Sequence, residues 1–150
     1  MNINIEEKII DTICYADMDA VSSENFLSFL YDYRKLLAKR KAEGKMKIRI
    51  PIYVKNYYDN ISINFGDEDL EKNLRAKNNL EILENNGIVN YFGDEKDEPA
   101  FCLAKQFISA LGTQKMSYLT ANKRNAKEFD AFNKLVKSSK GEVLTVIDLS

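Results

Sequence analysis

Between Gly93 and Asn122 the chain writes out one complete structural unit, and that unit limits the folds open to the rest. It begins with an acidic turn, Gly93 to Glu98, followed by Pro99. Proline suits a first helical turn, where its missing N–H has no intrahelical partner to lose. Phe101, Ala104, Phe107, Ile108 and Leu111 then recur at helical spacing up to Gly112, a helix-ending residue. Met116 to Thr120 reads as a buried strand, and Asn122 suits the N-cap of a further helix. Strand and helix alternate in this way along most of the chain, which argues for a parallel sheet with helices on both faces.

Taken in order, Ile9 to Tyr15 is apolar and β-branched and predicts a first strand. Ser22 or Ser23 is the expected N-cap of a helix whose apolar positions are Phe26, Phe29, Leu30, Tyr33, Leu36 and Leu37, ending at Gly44. Its far face carries Arg34, Lys35, Lys39, Arg40 and Lys41. Met46 to Val54 alternates with period two, but Pro51 interrupts it. Either this is an edge strand, or the strand stops near Ile50 and Pro51 opens a helix through Tyr57 and Tyr58. Ile61, Ile63 and Phe65 predict a short strand. Asp67 caps a helix over about 68–84, striped by Leu70, Leu74, Leu80 and Leu83 and ended by Asn86 and Gly87. Ile88 to Phe92 is the next strand. The last helix holds Ala126, Phe129, Phe132, Leu135 and Val136 and stops at Gly141. Val143 to Ile147, apolar on both faces, reads as a strand in the middle of a covered sheet. The expected fold is a single α/β domain over residues 1–150, a mostly parallel central sheet in a three-layer arrangement.

The composition excludes several chemistries. With no histidine, neither a Ser-His triad nor an imidazole-held zinc site is possible, and a metal would sit on oxygen ligands such as those magnesium and manganese take. The net charge of −1 announces no general attraction to nucleic acid or membrane. Cys14 and Cys102 lie in apolar runs and read as buried thiols. Neither a signal peptide nor a membrane-spanning run appears, so the cytoplasm is the expected compartment. No glycine-rich phosphate loop is present.

Open α/β sheets bind ligands beyond the carboxyl ends of their strands. The residues expected there are Asp17 and Asp19, then Asp94, Glu95, Asp97 and Glu98, then Thr120 and Asn122, and finally Asp148. Carboxylates gathered on one rim repel unless a divalent cation or a proton lies between them. Helix capping competes with this reading, since acids and amides are favoured at helix N-termini for their own sake. It applies to Asp94 through Glu98, where a proline-led helix starts, and to Asn122. Asp148 reads as a solvated residue near the C-terminus. Lys47, Arg49, Lys123 and Arg124 are candidate contacts to nucleic acid, with Tyr53, Tyr57 and Tyr58 able to stack on bases. Solvated faces of a strand and a helix explain the same residues.

The stretch from Asp94 to the C-terminus resembles the second half of a PIN-type nuclease domain. The matching pieces are Asp97-Glu98-Pro99-Ala100-Phe101-Cys102-Leu103-Ala104-Lys105, then Tyr118 to Asn122, then Val143 to Ile147. Tyr15-Ala16-Asp17-Met18-Asp19 is similar to the acidic end of the first strand in the related NYN nucleases. The resemblance implies cleavage of RNA by a magnesium or manganese ion held by Asp17, Asp19, Asp94 and Asp97, with Asn122 assisting and a metal-bound water as nucleophile. Two departures stand out. The family's late acid is Asn122 here, and the acid expected after the second strand is missing, since only Asp59 falls in that region. A haloacid-dehalogenase-like phosphatase is set aside because Thr120 follows Gly93-Asp94 where that family's order is the reverse. The competing expectation is a non-catalytic protein of similar fold that binds a partner protein, with the aromatic helix at 22–43 able to serve a homodimer.

Overall fold

The computed structural model describes residues 7–110, 114–140 and 144–150. Its strands are β1 (Ile13–Ala16), β2 (Ile48–Pro51), β3 (Val89–Phe92), β4 (Met116–Thr120) and β5 (Leu144–Asp148). All pairings are parallel, in the order β3-β2-β1-β4-β5. The helices are α1 (Met18–Val21), α2 (Phe26–Lys39), α3 (Ile52–Asn60), α4 (Leu70–Asn85), α5 (Pro99–Ser109) and α6 (Lys123–Lys140). Parallel neighbours need crossovers, and the intervening helices supply them. The expected three-layer α/β fold is therefore what forms. Leu111, Gly112, Gly141 and Val143 lie outside the described residues, as do the side chains of Leu135 and Val136.

Side-chain alternation sorts the strands onto two cores. Cys14, Ala16, Ile48 and Ile50 meet α2 and α4 through Phe29, Leu37, Leu80 and Leu83. Tyr15, Met116 and Tyr118 point the other way, onto Leu103 and Phe107 of α5 and Phe129 of α6. Tyr15 and Phe107 meet edge to face with centroids 5.4 Å apart, and Tyr118 and Phe129 do so at 4.6 Å. Each buried ring of this kind stabilises the fold by about 2 kcal/mol.

Several local expectations need correction. The run from Ile9 does not begin as a strand. Glu7–Asp11 is a 3-10 turn, closed by Thr12 N–H on the Ile9 carbonyl at 3.0 Å, and β1 starts only at Ile13. Ile9 is buried all the same, which is why it imitates a strand residue. Neither Ser22 nor Ser23 is an N-cap. Asp17 caps α1, and α2 starts after Asn25. At residues 51–60 the helix wins: Pro51 ends β2, where a missing N–H costs little, and α3 begins at Ile52. Ile61, Ile63 and Phe65 form no strand but lead into a turn. Asp67 does not cap α4, which begins at Leu70 after Asp69. Finally, β5 is an edge strand rather than a central one. It is apolar on both sides because both faces are covered, Ile147 packing on one core and Val146 on the other.

The order of strands fixes where a ligand would bind. From β1 the chain builds outward through β2 to β3, then returns to β4 and builds outward to β5 on the other side. The direction reverses between β1 and β4, and open α/β sheets form their crevice at that reversal.

Candidate functional site at the β1/β4 switch point

β1 and β4 run in register from Ile13 opposite Met116 to Ala16 opposite Leu119. Asp17 and Thr120 therefore leave the sheet side by side, and Thr120 is in turn opposite Asp148 of β5. Asp17 is only 3% exposed. Its Oδ1 accepts the Ala20 N–H at 2.8 Å, which caps α1, and its Oδ2 accepts the Tyr118 hydroxyl at 2.6 Å. The Thr120 hydroxyl is a further partner. Burial pushes the Asp17 carboxyl above its ordinary value, opposed by the hydrogen bonds from Thr120, Tyr118 and Ala20 and assisted by the charge of Asp19. The Tyr118 hydroxyl is also pushed up, by burial first and then by the carboxylate it faces.

The network continues outward. Thr120 Oγ1 accepts the Asn122 N–H at 3.1 Å. Asn122 Oδ1 accepts the Asn125 N–H at 3.1 Å, so Asn122 does cap α6 as its position in the sequence suggested. Its Nδ2 donates to Asp19 Oδ2 at 3.3 Å. Asp19, half-buried in the first turn of α1, is where this network meets solvent.

Asp94 and Asp97 lie elsewhere. They follow β3, and β2 stands between β3 and β1, a separation of about 10 Å at ordinary strand spacing. Asp94 Oδ1 accepts the Lys96 N–H at 2.9 Å, and Asp97 pairs with Lys105 at 2.7 Å. The basic candidates are divided too. Lys123 and Arg124 open α6 beside Asn122, with Arg124 paired to Glu128 at 3.1 Å. Lys47 precedes β2 at the opposite pole and donates to the Gly87 carbonyl at 2.5 Å. Arg49 lies half-buried over the Tyr15 ring, 5.9 Å from its centroid. Asp148 shares a cavity of about 290 Å³ with Lys123 and Lys127.

The donor set does not fit a protein-built magnesium or manganese centre. Both Asp17 oxygens are buried and accept hydrogen bonds, the Asn122 oxygen is committed to the α6 cap, and among the described residues immediately beyond β1, β4 and β5 the carboxylates facing solvent are Asp19 and Asp148. Among the described residues, no three Asp, Glu, Cys or His side chains converge closely enough to hold an ion. Tyr118 is the residue that sequence reasoning missed. The available signal was parity: it lies two positions before Thr120, on the face that Asp17 takes beyond Tyr15.

No helix among the described residues is long and apolar enough to cross a membrane. No family model, no curated protein and no solved structure matches this chain at a significant level.

Proposed function

We propose that this chain is a non-catalytic protein-interaction protein built on a PIN/NYN-like α/β scaffold, in which the rim acids hold the fold rather than a catalytic metal. The observation that carries this reading is the engagement of Asp17, whose carboxylate is buried and bonded to Ala20, Tyr118 and Thr120. A metal ligand in that position needs a lone pair facing the crevice, and turning the carboxylate toward one would take from Ala20, Tyr118 and Thr120 the acceptor they share. Calorimetric titration with Mn²⁺ and incubation with single-stranded RNA test the proposal together. The wild-type chain is expected to give neither binding heat nor cleavage. Asn122→Asp, which places a second carboxylate beside Asp19, is expected to acquire Mn²⁺ affinity.

A second reading, an active magnesium- or manganese-dependent ribonuclease, has one observation in its favour. Asp19 and Asn122 stand side by side at the switch point, with Lys123 and Arg124 at the adjacent helix start. RNA cut by the wild type in Mn²⁺, with the cutting lost in Asp19→Asn, replaces the first reading by this one.

A further inference from the structure

Phe65 is 96% exposed. It occupies the second position of a turn from Asn64 to Asp67, closed by the Asp67 N–H on the Asn64 carbonyl at 3.3 Å. Gly66 follows at φ +94°, the left-handed conformation that the third position of a type II turn requires. The turn thus holds the ring out in water. Just after it come the exposed acids Asp67, Glu68, Asp69 and Glu71, against the bases Lys72 and Arg75, the latter 3.9 Å from Glu71. Arg75 and Asn79, bonded to the carbonyls of Ser22 and Val21 at 2.7 and 2.8 Å, tie this end of α4 to the carboxyl rim.

At the other end of α4 lies a cavity of about 350 Å³, open between α2 and the starts of β2 and β3. Leu27, Leu30, Tyr31, Ile82 and Ile88 make it apolar, and among the described residues Arg34 is the one charged residue in its wall. Its edge is basic as well. Lys35 lies 5.3 Å from the centroid of the Tyr31 ring, and Lys47 is bonded to the Gly87 carbonyl beside Ile88 at 2.5 Å. Tyr31 and Leu27 are 65% and 41% exposed, so this apolar wall faces water. α4 has sixteen residues, a span of about 24 Å, so the ring and the cavity of one chain stand too far apart to meet.

We propose that Phe65 of one copy inserts into the α2/α4 cavity of a second copy, its acidic flank facing the basic edge of that cavity. An apolar knob in an acidic frame and an apolar socket in a basic frame, at opposite ends of one helix, are complementary to each other and not to themselves. Two copies that exchange rings about a two-fold axis make this contact twice and stop at a dimer, whereas copies joined by one contact each grow into rings or open chains. The inference uses residues away from the switch point and stands under either reading of the rim.

Sedimentation velocity over a micromolar to millimolar concentration series tests it. The wild type is expected to associate with rising concentration, into a dimer or larger species, and to revert toward monomer in high salt, since exposed charges are screened there. Phe65→Ser and Leu27→Glu, both at exposed positions, are each expected to be monomeric with unchanged circular dichroism. Tyr31→Asp serves in place of Leu27→Glu if the latter fails to fold. Because each variant keeps one half of the contact, their equimolar mixture is expected to form a one-to-one pair and nothing larger. A wild type that stays monomeric throughout, a Phe65→Ser variant that associates like the wild type, or a mixture that stays monomeric overturns the proposal.

Discussion

Asp17 and the pair Asp94 and Asp97 occupy equivalent places in the sequence, each just beyond an apolar strand, yet the two regions are held by different means. At the end of β1 the side chain carries the structure: a buried carboxylate bonds to α1 and β4 at once. At the end of β3 the backbone carries it. Gly93 turns at φ +86°, and a Cβ at that position would collide with the Cys102 sulfur. Asp94 there makes a local turn contact in solvent, and the largely covered Asp97 carboxylate pairs with Lys105 of α5. An acid after a strand thus has no fixed meaning. What the neighbouring strand sets opposite it decides whether it is a structural keystone or a solvated turn residue.

The contrast is strongest in Asp17→Ala. Loss of the cap costs about 1 kcal/mol, and the Tyr118 and Thr120 hydroxyls, which lose their carboxylate acceptor, together cost about 2 kcal/mol. A total loss of about 3 kcal/mol in urea unfolding is expected, and a loss under about 1 kcal/mol would remove the keystone role. Gly93→Ala comes next, at about 2 kcal/mol, because left-handed strain adds to the clash with Cys102.

Asp17→Asn separates charge from shape. The folded carboxyl titrates above the ordinary 3.8, so as pH rises past 3.8 the unfolded chain ionises first and stability is lost until the folded group ionises too. The asparagine variant has no such dependence. The wild type is expected to lose stability relative to the variant as pH climbs through this window in a series of unfolding curves, and parallel curves would show that the hydrogen bonds balance burial. The smallest effect is assigned to Asp94→Ala, about 0.5 kcal/mol or less by thermal unfolding, as for other exposed positions.

Much of the local structure was legible from residue order. β4 falls on Met116 to Thr120 as the apolar run predicts, α5 opens at Pro99, and Asn122 caps α6. These features depend on contacts within a few residues, which propensity and capping describe. The failures have a common physical origin in burial. Ile9 looks like part of a strand because the core needs an apolar group there, whatever the backbone does. Val146 and Ile147 look central because helices cover both faces of an edge strand. Pro51 left two alternatives open because nothing local says which strand lies beside it, and pairing with β1 on one side and β3 on the other decided the matter.

The candidate site shows the same division. That oxygen-bearing side chains follow the strands was visible in the sequence, as was their oxygen-only chemistry, since the chain contains no histidine. Which of them meet was not. Strand order is set by long-range packing, and it placed β4 beside β1 while leaving β2 between β1 and β3. Asp17 consequently meets Tyr118 and Thr120, Asp19 meets Asn122, and Asp94 and Asp97 meet neither. The sequence by itself determined the class of fold, through alternating periodicities that only a covered parallel sheet satisfies. The tertiary structure alone decided which carboxylate is buried and what it bonds to, because register between strands far apart in the chain brings those partners together.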